Sequence, residues 1–543
     1  MKTKLLVLLS CVLALHAQAG SATWNLNPAS SEWNKAGNWT PATVPNSPDD
    51  VATFDVSNVT SLTLSNAEVD SVVFNSGASA YTIRSTTGIN GSELSLKGAG
   101  IINNSGIGQN FEVSGSPAGR INFYGSATAG ESTVFMVEGG KSSPSLTFYD
   151  TSSAGSGTFI SQAGPDNQHP DPGQISFSGD STAANGTFIC NGAEDRSAYP
   201  GAVYFSYNAT AGQGTFIAHG GSKVGVSGGD VALFHSSNAG EATFTAEGSD
   251  IERLGGAVIR FYHDASAADA TLIATGGLLD GGRIAFEFGE ATGGRARVEL
   301  FGNGRLEIFY NNTPVTIGSL EGDGLVMLGT GSLGIGSNDL STTFAGVISG
   351  SGSLTKVGAG HLTLNNASIY SGATTVVGGG LRVSNSTGSA TGTGAVQVSE
   401  GILGGRGIIA GAVTIGTGSG VGASIALGIG ASAPTVMTIQ SSLTLKADGT
   451  YACKLNTKKA RADQVAANGV TLESGAQFNL AAVANRKLTA GTSFTVISNT
   501  AATPISGTFA NLPNDSTLTV GPNTFQISYS GGDGNDLTLT VVP

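Results

Sequence analysis

Apolar residues along this chain recur in short alternating runs, not in helical stripes. Ile175-Ser176-Phe177, Leu443-Thr444-Leu445, Phe494-Thr495-Val496 and Leu537-Thr538-Leu539 place apolar side chains two apart, the period at which one face of a strand is buried. Glycine, asparagine and serine gather between the runs, where the chain must turn. The pattern predicts an all-β protein of many short strands.

The runs are organised as repeats. Seven stretches between Ile121 and Val298 match one another, among them INFYGSATAGESTV, VYFSYNATAGQGTF and IAFEFGEATGGRARV. Their first anchors are Phe123, Phe148, Phe177, Phe205, Leu233, Phe261 and Phe286, at steps of 25, 29, 28, 28, 28 and 25 residues. The second anchors are Val134, Phe159, Phe188, Phe216, Phe244, Leu272 and Val298, 11 residues on in six copies and 12 in the last. One such unit cannot bury its own apolar face, whereas stacked copies can, with like positions forming ladders along the axis. The expected fold is an elongated right-handed parallel β-helix (β-solenoid), the hand following from the crossover preference. Extrapolated along the chain, the unit predicts about twenty coils and a rod on the order of 100 Å.

The ends need caps, because a solenoid otherwise exposes strand edges and an open core. Trp24, Trp33 and Trp39 are the only tryptophans and lie close together near the N-terminus. They read as a plug on the first coil, with a sugar-stacking platform as the functional alternative. The predicted organisation is a signal peptide at 1–19, N-terminal capping coils at 20–84, a β-solenoid of 25–29-residue repeats at 85–310, a changed repeat pattern at 311–440 and a C-terminal β-cap at 441–543.

Composition and the N-terminus place the chain outside the cytoplasm. Lys2 and Lys4 precede an apolar stretch from Leu5 to Leu15, and Ala17-Gln18-Ala19 offers a small-x-small cleavage site, the order of a secretory signal peptide. The stretch is short of the about 20 apolar residues a spanning helix needs. Leu8-Leu9-Ser10-Cys11 resembles a lipobox, but too little apolar sequence precedes it. No later segment is apolar and long enough for a membrane helix, so no integral membrane segment is expected. Glycine makes up 82 of 543 residues without a strict triplet period, and charged residues make up 12%, against a usual ~25%. Net charge is −13, which argues against nucleic acid, whose phosphates demand Lys and Arg. Cys190 and Cys453 lie far apart in the sequence and read as buried thiols, not as a disulfide framework.

From about Thr316 the repeat changes character. The core Leu354-Thr355-Lys356, Gly358, Gly360, Leu362-Thr363-Leu364, Tyr370-Ser371-Gly372, Thr374-Thr375-Val376 and Leu381 closely resembles the autotransporter-associated β-strand repeat, also called the passenger-associated transport repeat. Two positions depart from the usual pattern: His361 and Gly380 stand where threonines are common. The resemblance implies an exported right-handed β-helix passenger and no catalytic residues. Autotransporters end in a membrane barrel of alternating strands. The chain stops at Pro543 without one, nor does it carry a sorting tail, so export through a barrel of its own is not expected.

Candidate chemistry is sparse. Gly531 to Leu539 resembles one calcium-binding nonapeptide with Asp533 and Asp536 as oxygen donors, yet such sites need stacked copies, so a turn is expected. Asp49-Asp50 reads as part of a proline-rich loop. Asp166, His169 and Asp171 fall in the insertion at 165–173, the most site-like cluster for a carboxylate-driven glycan hydrolase, and read as a solvated loop. His219, His235 and His263 read as occupying different positions within successive repeats and so as forming no ladder or metal site. Gly416, Gly418, Gly420 and Gly422 read as one face of a close-packed strand, and Lys454 to Arg461 as a basic loop of the C-terminal cap. No catalytic, cofactor-binding or metal-binding residue is assigned and no cofactor is expected. The expected function is a secreted, non-enzymatic structural or adhesive surface or matrix repeat protein, with polysaccharide or other surface components as partners. The alternative is a polysaccharide-binding or polysaccharide-degrading β-helix.

Overall fold

A computed structural model describes residues 20–85, 91–116, 118–166, 168–223, 226–250, 255–309, 311, 313–428 and 434–543. The expected signal peptide at 1–19 lies outside the described residues. Among those described there is no α-helix, only one 3-10 turn at Ala36–Asn38, and no helix long and apolar enough to cross a membrane. The strands stack in parallel into a β-solenoid of about 17 turns, a rod of roughly 80 Å at the ~4.8 Å strand spacing. That is fewer coils than the repeat length alone suggests. The reason is visible at the C-terminus, where the chain leaves the coil and folds back as antiparallel strands.

A central coil has three sides. Gln174–Phe177 forms the first strand, with buried residues alternating. A corner follows, in which Thr182 makes a one-residue bridge to Ser153 below and Thr210 above. Thr187–Cys190 forms the second strand. The anchors stay in register: Phe148, Phe177, Phe205, Leu233, Phe261 and Phe286 are direct partners in one ladder, and the last of these pairings shifts only beyond them, between Tyr262 and His263. Phe159, Phe188, Phe216, Phe244, Leu272 and Val298 are partners in the other. In the earliest copy the partner of Phe159 is Phe135, not the expected Val134. Phe135 is buried whereas Val134 is only partly so, because a one-residue change of register exchanges the two faces of a strand.

Ring geometry explains why phenylalanine holds these positions. Phe177 stacks on Phe205 at 4.7 Å and 6°, and Phe188 on Phe216 at 4.7 Å and 8°. Across the coil Phe177 meets Phe188 edge to face at 5.6 Å and 76°. Both arrangements suit the ring quadrupole, at about 0.5–1.5 kcal/mol per pair beyond area burial. The corners are filled by small residues, among them Ala183, Ala211 and Ala239, all fully buried. Cys190 and Cys453 are buried free thiols.

The N-terminal tryptophans plug the first coil. Trp24, Trp33 and Trp39 are at most 1% exposed and surround Phe54 at ring distances of 6.3, 5.7 and 5.6 Å. Each indole N–H donates to a backbone carbonyl, of Val59, Pro45 and Trp33 respectively, which removes the cost of burying it. No ring face is left for a sugar, so the platform reading fails. At the other end Ser493–Asn499 runs parallel to Gln464–Ala467 and antiparallel to Asp536–Val542. Asp536–Val542 then pairs with Asn523–Gly531 and that strand with Thr517–Val520, closing the stack as an antiparallel cap.

Three local expectations change. Asp49 and Asp50 lie in the strand Ser47–Phe54, not in a loop, and Asp50 accepts the Asn46 N–H at 3.0 Å. Lys454 lies inside the strand Gly449–Asn456, with Arg461–Ala462 pairing back on it as a short hairpin. The glycines from Gly416 to Gly422 form a loop, not a strand face. Gly416, Gly418 and Gly422 have φ of 93°, 97° and 99°, and the N–H groups of Thr417, Gly418 and Gly420 converge on the Asp448 carboxylate at 3.1, 2.7 and 2.8 Å. Positive φ at alternate positions curls the chain into an anion-binding concavity, which a strand cannot make.

Candidate functional site

Side chains that alternate away from the core form outward columns on the first sheet. On the early coils Tyr124 stacks on Tyr149 at 4.9 Å one residue beyond the anchors, with Arg120 and Ser145, then Gln174 and Ser176, along the strand. From Ala202 to Glu307 aromatic and charged residues crowd this face. Tyr204, Phe234 and Tyr262 lie on this surface, with Phe234 stacked on Tyr262 at 5.0 Å and 4°. At the adjoining corner Tyr207 stacks on His235 at 5.1 Å, and His235 on His263 at 5.3 Å and 12°.

The histidine ladder corrects the sequence reading. His235 and His263 both fall two residues beyond their coil's first anchor, because Leu233 is the partner of Phe261. Only His219 stands elsewhere, on the second strand's side, where it pairs with Glu247 at 2.7 Å. The two stacked imidazoles meet plane to plane, so their nitrogens do not converge as metal ligands would. The repeated offset from Phe205, Leu233 and Phe261 was the available signal.

These corner residues hold a left-handed backbone. Tyr207, His235 and His263 have φ of 60°, 55° and 55°. At the same corner of earlier coils stand Gly125, Asp150 and Gly179, also at positive φ. A bulky residue there costs roughly 1–3 kcal/mol that glycine avoids. Ring stacking offsets part of it.

Beside the aromatic columns lies a charged network. Arg260 pairs with Asp230 at 2.7 Å. Arg305 pairs with Asp280 at 2.8 Å and Glu307 at 2.7 Å. Arg283 is held more loosely, 3.5 Å from Glu307 and 3.7 Å from Glu287. Burial pushes the Asp230 carboxyl above its ordinary range, and the Arg260 guanidinium pulls it back in part. Burial pushes the Tyr262 phenol up to about 12. Two buried atoms of the network make no hydrogen bond, Asp230 Oδ1 and Arg283 Nε. Asp230, Arg260 and Arg283 line an open recess of about 350 Å³, with Ser227 and Tyr199 on its loop side. Tyr199 is 61% exposed. Its backbone is fixed from the insertion: Tyr199 N–H donates to Pro170 O, and Gly164 N–H donates to Tyr199 O.

The insertion's own side chains are engaged locally. Asp166 accepts the Gln168 N–H at 2.8 Å and faces His169 Nδ1 at 3.0 Å, and these contacts hold its carboxyl below the ordinary range. Asp171 accepts from Ser143 Oγ at 2.8 Å. The two carboxylates are thus spent on different partners. Gly531 to Leu539 forms the turn into the last strand, where Asp536 accepts the Asn499 N–H at 2.9 Å.

The late coils carry the recognisable repeat. Leu354–Lys356, His361–Leu364 and Thr374–Val383 make one coil and the start of the next, Leu354 lying beside Thr374 and His361 beside Gly380. The passenger-associated-transport-repeat family matches residues 354–383. These residues form a passenger-associated transport repeat set within the β-solenoid. The chain is 36% identical over 110 residues to the "Adhesin BmaC autotransporter" of Brucella suis biovar 1 (strain 1330). That match covers 20% of this chain and 3% of the adhesin. Within the repeat, the two departures from the usual pattern are one adaptation. A Cβ on Gly380 would sit 2.2 Å from His361 Nδ1, so glycine leaves room for the imidazole of its direct partner as that ring stands.

Proposed function

We propose that this β-solenoid protein is an exported, non-enzymatic surface protein of adhesin type. Its work is to project a rigid rod and offer many weak contacts along one side. The observation that carries this reading is the aromatic and charged face of the central coils, on which outward rings stack from coil to coil. Similarity to an adhesin autotransporter supports it, as does the apolar N-terminal segment with its small-x-small end. The test is adhesion. Beads coated with purified protein spanning residues 20–543 should adhere to cells or to biofilm matrix above beads coated with an inert protein. Equal adhesion of both bead types would refute the proposal, and turnover of a polysaccharide by the pure protein would refute its non-enzymatic part.

A further inference from the structure

We infer that the central face, from the recess beside Tyr199 to the corner ladder of Tyr207, His235 and His263, binds a neutral polysaccharide chain. The inference rests on the adhesive reading and names its ligand class. Three observations carry it.

The first is an unpaired polar atom. Asp230 Oδ1 can only accept and is buried without a hydrogen bond, and the recess it lines also holds Arg283, whose Nε can only donate and has Glu307 no nearer than 3.5 Å. A sugar hydroxyl donates and accepts, so a diol satisfies both. A ligand carboxylate or sulfate would satisfy Arg283 but confront Asp230, and a ligand cation would do the reverse.

Charge is the second. Arg260, Arg283 and Arg305 stand against Asp230, Asp280, Glu287 and Glu307, on a chain of net charge −13. A polyanion gains no long-range attraction from such a surface.

Third come the aromatic residues. Tyr199 and Tyr207 are 61% and 59% exposed. The coil before Tyr207 has Gly179 at the same corner, so no side chain stacks on the ring from that side. Tyrosine and histidine are kept here in a left-handed conformation that glycine adopts freely on neighbouring coils, and strain retained at an exposed position marks a surface that is used. Ring faces and edges of this kind suit the mixed apolar and hydroxyl surface of a pyranose. The columns repeat every ~4.8 Å, which suits a chain of sugars in place of a single one.

The experiment is affinity electrophoresis of the purified protein spanning residues 20–543 through gels containing mixed-linkage β-glucan, xylan, galactomannan or dextran, with polygalacturonate and heparin as polyanions. At least one neutral polysaccharide should retard the protein, equally at low and high salt. The triple variant Tyr207→Gly/His235→Gly/His263→Gly should bind about tenfold more weakly, the loss of one good anchoring contact. Glycine suits the backbone at all three sites, so circular dichroism and melting should be retained. Tyr199→Ala, on an exposed loop, should weaken binding in the same direction. Retardation by no neutral polysaccharide, retardation only by polyanions and abolished by salt, or unchanged binding of the triple variant would each overturn the inference. The bead assay separates the two ideas: adhesion that persists in the triple variant leaves the adhesive reading standing and removes the polysaccharide.

Discussion

The central and late coils solve one packing problem with different residues. From Phe123 to Phe216 each coil brings two rings inward, stacked along the axis and edge to face across it, and the next three coils keep one ring each, opposite Leu233, Leu272 and Val298. From Val326 to Val398 the inward residues are mostly Leu, Ile and Val, with Phe344 and Tyr370 as buried rings among them. The coils also differ in size. Phe177 to Phe205 is a step of 28 residues, whereas Val326 to Ile348 is 22 and Leu354 to Thr374 is 20. A shorter coil encloses a smaller cross-section, and two opposed rings per layer would overfill it. The longer coils have residues to spare for lateral loops such as those bearing Tyr199 and Ser227, which is why the recess lies on the central coils.

The largest expected effect tests whether rings set central stability. Phe205→Ala should cost about 3–5 kcal/mol, the usual penalty for a fully buried ring. Solenoid stability is roughly a sum of nearest-neighbour terms, so new protease cleavage should appear near residues 200–240 before the late coils open. Phe205→Leu should cost only about 1 kcal/mol, since Leu233 already occupies the next rung. Cleavage that begins in the late coils would show that the two regions melt as one.

A smaller effect belongs to the repeat coil. Lys356 is buried, its ammonium donating to the Val357 and Gly358 carbonyls. Burial lowers its pKa from 10.5 to about 8, against a modest opposing pull from Asp339. The unfolded chain therefore holds this proton more tightly than the folded one, and stability rises with pH between about 8 and about 10. The rise should be on the order of 2 kcal/mol and should vanish in Lys356→Met, as read from melts across that range.

Below that lies the glycine loop on Asp448. Slight burial works against its charge, but the backbone N–H groups of Gly418, Thr417 and Gly420 outweigh it and pull the carboxyl down to about 2. Its contribution is complete above the unfolded value of about 4 and is lost as pH falls through about 2. Exposure keeps it small, under about 1 kcal/mol. Asp448→Asn should speed amide hydrogen exchange at Gly418 and Gly420 with little change in melting. The smallest effect is expected in the insertion, where Asp166→Asn with His169→Ala should shift stability within about 0.5 kcal/mol. A larger loss would mean that those side chains, and not the backbone bonds from Gly164 and Pro170, position Tyr199.

Much of the fold can be read from residue order alone. The anchor spacing from Phe123 to Phe286 identifies stacked coils, since a strand's period of two and a repeat near 28 residues leave few other ways to bury alternate aromatics. The tryptophan cluster identifies a cap, and Leu354 to Leu381 identifies the repeat type. Tertiary structure alone decided what meets what across coils. Neighbours in a column are separated by a whole coil, so sequence spacing, which puts Tyr207, His235 and His263 each two residues beyond an anchor, does not show that their rings stack. Nor does it show that Gly380 makes room for His361, or that three amides of a glycine loop close on Asp448, some thirty residues away. Each of these contacts forms only when the anchors have set the register, because burying the rings, worth several kcal/mol per coil, fixes where every outward side chain must stand.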